Sequence, residues 1–304
     1  MEVLKSLLTI LILILLGSLS RKTKIFSKEH VKTLSSFVYY FALPSLFFVE
    51  LMNLDLFSLD YYVILGVLLP ILLVLLVLFL LKTLGWISKD QFILLSLAMS
   101  LGSYAFFGIA FFETLLDGKW LEMAILSASA LGVMGIMITI LLFEYANKKG
   151  KGLGFLRKIV TNPLVLSIVA GLLFSILGLR SQLLNDSLNL LGKTAGGIAI
   201  FSLGIFVYDN FSLDAVKKSF FYSLFRVFVL PLATFLGIFL LPSWSRDLNQ
   251  FLFLQSGIPS AIALVVFAER YDYKVAELAG MVIMTSFLSF FGLTALFYLS
   301  KIVF

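Results

Sequence analysis

The chain has 304 residues, of which 61% are hydrophobic and only 13% charged, and its formal net charge is +6. A soluble domain carries about 25% charged residues, so this composition excludes a soluble globule and describes a polytopic membrane protein. Cysteine is absent and His30 is the lone histidine, which leaves no thiolate nucleophile, no Cys or His metal site and no Ser-His-Asp triad, and so no enzyme and no cofactor.

Ten apolar stretches follow in chain order, each near the length of about 20 residues that a hydrocarbon core of about 30 Å requires. They cover 3–20, 31–52, 61–82, 91–115, 121–145, 159–179, 187–207, 219–241, 250–269 and 275–300. The first lacks a small-residue cleavage site and runs straight into basic residues, so it is expected to be a retained helix rather than a signal peptide. The connections are short, and the longest is the Gly/Lys-rich stretch 147–158.

Basic residues alternate from loop to loop. Arg21, Lys22, Lys24, Lys28 and Lys32 follow the first span, Lys82 and Lys89 the third, Lys148, Lys149, Lys151, Arg157 and Lys158 the fifth, Lys217 and Lys218 the seventh, and Arg270 and Lys274 the ninth. The positive-inside rule puts these loops in the cytoplasm and both termini outside. The positive charge is therefore a topology signal and implies no nucleic-acid partner.

Several features recur at an offset of about 160 residues, as expected of an internal transporter repeat. Pro70 matches Pro231, Gln91-Phe92 matches Gln250-Phe251, and Phe41-Ala42-Leu43-Pro44 resembles Phe201-Ser202-Leu203-Gly204. Five spans is an odd number, so a second half of five must enter from the opposite face. The expected fold is an all-α membrane protein of ten transmembrane helices in two inverted five-helix repeats, 1–146 and 159–304, joined by a cytoplasmic loop at 147–158.

Spans four and nine are unlike lipid-facing helices. Leu101-Gly102-Ser103-Tyr104 and Gln255-Ser256-Gly257-Ile258-Pro259-Ser260 put small and polar residues in the middle of apolar spans. Proline removes a backbone donor, and a freed backbone group at membrane depth needs protein or a polar cavity to satisfy it. Two such interruptions, one in each half, predict broken helices and a substrate site at the bilayer midplane. The candidate binding residues are Gly102, Ser103, Tyr104, Gln255, Ser256, Pro259 and Ser260. Half-helix N-termini there suit a carboxylate, while close helix packing is the plainer use of small residues. Lys193 and Arg226 fall within apolar spans; an intramembrane cation is either a substrate counter-ion or a structural lock. Arg226, close to Pro231, reads as structural, and Lys193 is kept as a binding candidate.

The segments Phe37-Val38-Tyr39-Tyr40-Phe41-Ala42-Leu43-Pro44, Asn162-Pro163, Ile198-Ala199-Ile200-Phe201-Ser202-Leu203-Gly204, and Pro259 followed by Val266-Phe267-Ala268-Glu269-Arg270-Tyr271 resemble the auxin efflux carrier family along essentially the whole chain. The resemblance implies a fold similar to the bile-acid sodium symporters, with helices 1, 2, 6 and 7 as scaffold and helices 3–5 and 8–10 as a transport domain in which helices four and nine are broken crossing helices. It also implies a small organic anion as substrate, such as an auxin-like carboxylate or a dicarboxylate. The family commonly carries Asn where Ser103 stands and Pro where Ala110 stands, and its bacterial members often carry Asn where Ala263 stands.

The expectation is thus a secondary transporter of an organic anion in the cell membrane, working by elevator-type alternating access. A sodium-coupled symporter of the bile-acid type and a non-transporting membrane sensor are the alternatives. A proton or sodium coupling ion and a homodimeric state are both compatible with the sequence.

Overall fold

A computed structural model describes residues 2–53, 60–114, 119–147, 160–210, 213–240 and 244–304. The connection 147–158, apart from Asn147, lies outside these residues, as does the Ala110 side chain. The described residues are helical, with one isolated backbone bridge.

Helix α1 spans Glu2–Lys22. Helix α2 spans Lys28–Met52 and contains a π turn at Val38–Ala42, just before Pro44. Helix α3 (Tyr61–Thr83) starts at Asp60, whose carboxylate accepts the backbone N–H groups of Tyr62 and Val63. Helix α4 (Lys89–Ser100) starts in a capping box between Ser88 and Gln91. These caps satisfy orphan donors that a helix start always leaves. A π turn at Tyr104–Gly108 then leads into α5 (Ile109–Thr114), and α6 follows at Leu121–Ala146.

Asn162 caps α7 (Pro163–Ile176) by accepting from the Leu164 N–H, with Pro163 in the first turn, where its missing donor costs nothing. Helices α8 (Gln182–Gly192) and α9 (Thr194–Asn210) are nearly continuous, and α10 spans Leu213–Leu240. Ser245 caps α11 (Arg246–Ser256), which is followed by α12 (Ala263–Tyr271) and α13 (Val275–Val303). Among the described residues, six helical stretches are long and apolar enough to cross a membrane: Lys28–Met52, Tyr61–Thr83, Leu121–Ala146, Gln182–Asp209, Lys217–Leu240 and Val275–Val303.

The helices pack in two groups. In the first, α1 lies against α9, and α2 against α7, α8 and α9. Gly17 and Gly204 face each other so closely that a Cβ on either would overlap backbone of the other helix, and Ser18 Oγ donates to the Gly204 carbonyl at 2.9 Å. The small residues of the Phe201–Gly204 segment thus serve close helix approach. In the second group, α10 packs on α13, α3, α4 and α11, while α6 packs on α4 and α3.

Exposed apolar side chains such as Leu72, Leu76, Phe79, Leu236 and Phe239 cover the outer faces of α3 and α10. Continuous apolar exposure on this scale fits a lipid environment rather than water. Short connections are pinned at the helix ends: Lys274 pairs with Asp90 at 3.3 Å and the Tyr273 hydroxyl donates to Asp90 at 3.2 Å. Burial, followed by the Asp90 charge, pushes the Tyr273 phenol above its ordinary range.

Candidate functional site

The two sequence interruptions meet. Helix α4 stops at Ser100, and Leu101 turns to an extended conformation. Helix α11 stops at Ser256, and the chain is non-helical until Ala263. Gly102 and Ser260 form an antiparallel bridge. The Ser103 N–H donates to the Pro259 carbonyl at 2.8 Å, and the Ala261 N–H donates to the Leu101 carbonyl at 2.9 Å. Each interruption therefore satisfies part of the other's freed backbone, as a buried chain break requires.

Arg226 on α10 satisfies further freed carbonyls. It is 1% exposed. Nη1 donates to the carbonyls of Ala98 and Met99, in the last turn of α4. Nε and Nη2 donate to the Ile258 carbonyl at 3.2 and 2.9 Å, and Nη2 also donates to the Tyr104 hydroxyl at 3.2 Å. Ala98 and Met99 would bond the N–H groups of Gly102 and Ser103 if α4 continued. The guanidinium takes that place. Gly102 permits it, because a Cβ there would overlap Nη2 and the Tyr104 ring.

The candidate residues separate into two sides. Gly102 and Ser103 line a small cavity of about 40 Å³ bounded by Leu43, Leu46 and Phe47 of α2 and by α6. Ala105, Ala261, Ile262 and Ala263 also border it. These residues belong to the N-terminal ends of the π turn before α5 and of α12, where helices leave unpaired N–H groups and a positive dipole end. Ser103 stands at the start of the π turn, and its hydroxyl makes no capping bond.

Gln255 and Ser256 lie on the other side, against α3 and α10. Gln255 Nε2 donates to Ser127 Oγ of α6 at 2.7 Å, and Ser256 Oγ donates to the Phe253 carbonyl at 2.6 Å. Tyr104 borders both sides. The Ser260 N–H donates to Thr285 Oγ1 of α13 at 3.2 Å. Gln255 Oε1 and Ser260 Oγ are buried with no hydrogen-bond partner, an unusual state for buried polar atoms. Lys193 is not brought to this cluster. It is exposed at the junction of α8 and α9.

A second cavity, of about 580 Å³, lies between the two helix groups and contains polar side chains that the candidate set did not include. Tyr39 and Tyr40 of α2, Asn162 at the start of α7, Glu144 of α6 and Arg270 of α12 line it. Asn162 Nδ2 donates to the Tyr39 hydroxyl at 2.6 Å, and the Arg270 guanidinium lies 5.1 Å from the Tyr40 ring centre. Tyr40 is within one turn of α2 from Leu43, which borders the small cavity. The signal for this vestibule was local: a Tyr-Tyr pair before a proline, an Asn-Pro helix start and an arginine closing an apolar helix.

Described residues that form helices, long apolar ones among them, and two paired, buried chain breaks define a polytopic membrane protein of transporter type. The comparisons agree. Residues 2–298 match the family described as membrane transport protein, and the chain belongs to that family, the auxin efflux carrier type of membrane transporter. It is 24% identical over 292 residues to a protein of Methanothermobacter thermautotrophicus described as an uncharacterized transporter, with 95% of each chain covered.

Proposed function

We propose that the protein is a secondary transporter of a small organic anion, bound as a carboxylate at the paired interruptions. The carrying observation is that two helix N-termini, one from each half of the chain, border one buried cavity together with Ser103. Backbone N–H groups and dipole ends at such a position favour negative charge. No carboxylate side chain borders the cavity among the described residues. The apolar wall from Leu43, Leu46 and Phe47 suits an organic body behind the charged group.

In this reading the chain crosses the membrane ten times as two inverted repeats, with the termini outside and the segment 147–158 in the cytoplasm. The α1, α2, α7, α8 and α9 group is the scaffold, and the rest carries the crossing helices. The division of packing into two groups supports that assignment. The small cavity has room for only a few waters, so substrate entry requires the transport group to shift against the scaffold. The vestibule beside Arg270 and Asn162 is the approach from the cytoplasmic side, and its volume is within the range of about 300–1,000 Å³ usual for ligand pockets.

A thermal-shift screen of carboxylates against the purified protein identifies a ligand, and counterflow in proteoliposomes then separates a carrier from a sensor. The Ser103 pair tests the sign of the substrate. A hydroxyl bonded to the ligand contributes about 0.5–3 kcal/mol, so Ser103→Ala weakens affinity roughly three- to a hundred-fold. Ser103→Asp weakens it further by placing like charge beside the anion. Tighter binding by the Asp variant would overturn the organic-anion reading.

A further inference from the structure

We propose that Arg226 is a resident cation: it fills, from within the protein, the position at the interruption where a carrier of this architecture would hold a coupling alkali cation, so that no sodium or potassium ion binds there. The inference rests on the proposed reading of the interruption as the transport site, and it concerns that site's coupling. Unwound backbone carbonyls and half-helix C-terminal ends are the groups by which broken-helix carriers coordinate their cations. Here those groups converge on a guanidinium instead. The carbonyls of Ala98 and Met99 form the C-terminal end of α4, and those of Ile258 and Pro259 come from the other interruption. The Tyr104 hydroxyl adds a further oxygen.

The charge bookkeeping favours occupation by Arg226 alone. Every acceptor that Arg226 touches is uncharged, and among the described residues Asp90, Asp209 and Asp247 pair with basic side chains elsewhere in the fold. A buried cation without a carboxylate partner is costly, and the set of oxygens around it is what offsets the lost hydration. A second cation among the same oxygens would lose those ligands and face unscreened repulsion in a low dielectric. Gly102 belongs to the same arrangement, since only a residue without Cβ leaves Nη2 its space. The positive charge that a coupled carrier takes up with each cycle is here a fixed part of the protein, set directly behind Gly102, which lines the small cavity.

The test uses melting temperature of the purified full-length protein. Wild type is measured in sodium, potassium and choline chloride at equal ionic strength, and Arg226→Ala in the same salts with and without millimolar methylguanidinium, with urea as a control. Wild type is expected to melt at one temperature in all three salts. Arg226→Ala is expected to melt lower and to be raised by several degrees, saturably, by methylguanidinium and not by urea, as a ligand that binds the folded state requires. A saturable, sodium-specific rise in wild type would overturn the proposal, because a cation site would then coexist with Arg226. So would a folded Arg226→Ala that melts identically with and without methylguanidinium. Should Arg226→Ala yield no folded protein, the wild-type salt series decides alone. Neither readout involves substrate or flux, so failure here leaves the anion reading standing, and failure of that reading appears separately in the Ser103 pair.

Discussion

Gly102 shows how one residue without a side chain sets the site. Its missing Cβ admits both the Arg226 guanidinium and the folded-back Tyr104 ring. Gly102→Ala should therefore force one of them to move, at an overpacking cost of about 1–3 kcal/mol. Gly197→Ala on α9 is the matched control, because nothing lies within 4 Å of its added Cβ. The expected result is a lower melting temperature for Gly102→Ala and none or a slight rise for Gly197→Ala, since alanine is the better helix former. Equal melting of the two would show that the contact with Arg226 is not tight. The small and polar residues at 102–104 and 255–260 were legible in the sequence because they break the apolar pattern. Their individual partners were not. Arg226 reaches carbonyls more than a hundred residues away, at Ala98 and Met99, and no local pattern encodes that reach. Lys193 illustrates the converse. A position inside an apolar span looks buried by count, yet the residue faces outward, because apolarity alone does not separate a lipid-facing side from a protein-facing one.

At the scale of elements, the two interruptions are held by different means. Gly102 gives the first its room, whereas the second contains Pro259, which cannot donate a backbone hydrogen bond. The Pro259 carbonyl accepts from the Ser103 N–H, and the Ile258 carbonyl accepts from Arg226. With a donor restored at 259, α11 can extend by a further turn at the expense of the bridge. Pro259→Ala is expected to keep a folded protein, because Arg226 and the flanking helix packing persist, and to lose most counterflow of the substrate found in the carboxylate screen. Normal counterflow kinetics in that variant would mean that the interruption is not required for transport. The π turn at Val38–Ala42 had no sequence signal, because π geometry is a local underwinding fixed by tertiary contacts rather than by composition. It brings Tyr39 toward Asn162, a hydrogen bond between α2 and the start of α7, and so shapes the vestibule wall.

At the scale of the molecule, the two halves pack through α1 on α9 and α2 on α7 and also meet at their breaks, Gly102 in one and Ser260 in the other. That pairing was not readable from sequence, although the recurrence of Gln91-Phe92 as Gln250-Phe251 pointed to matched helices in the two halves. The recurrence leaves the relative orientation of the halves to be measured. In a parallel repeat, the turn between α3 and α4 and its counterpart between α10 and α11 emerge on one side of the membrane; in an inverted repeat they emerge on opposite sides. Thr83 and Arg246 mark these two turns, and both are exposed. The chain contains no cysteine, so Thr83→Cys and Arg246→Cys each supply a single reactive thiol without further engineering. With a membrane-impermeant maleimide on intact cells, Arg246→Cys should label at once and Thr83→Cys only after the membrane is permeabilised, as the basic residues Lys82 and Lys89 beside Thr83 require of a cytoplasmic loop. Labelling of both from one side would refute the inverted repeat and, with it, the proposed presentation of the site in turn to each face of the membrane.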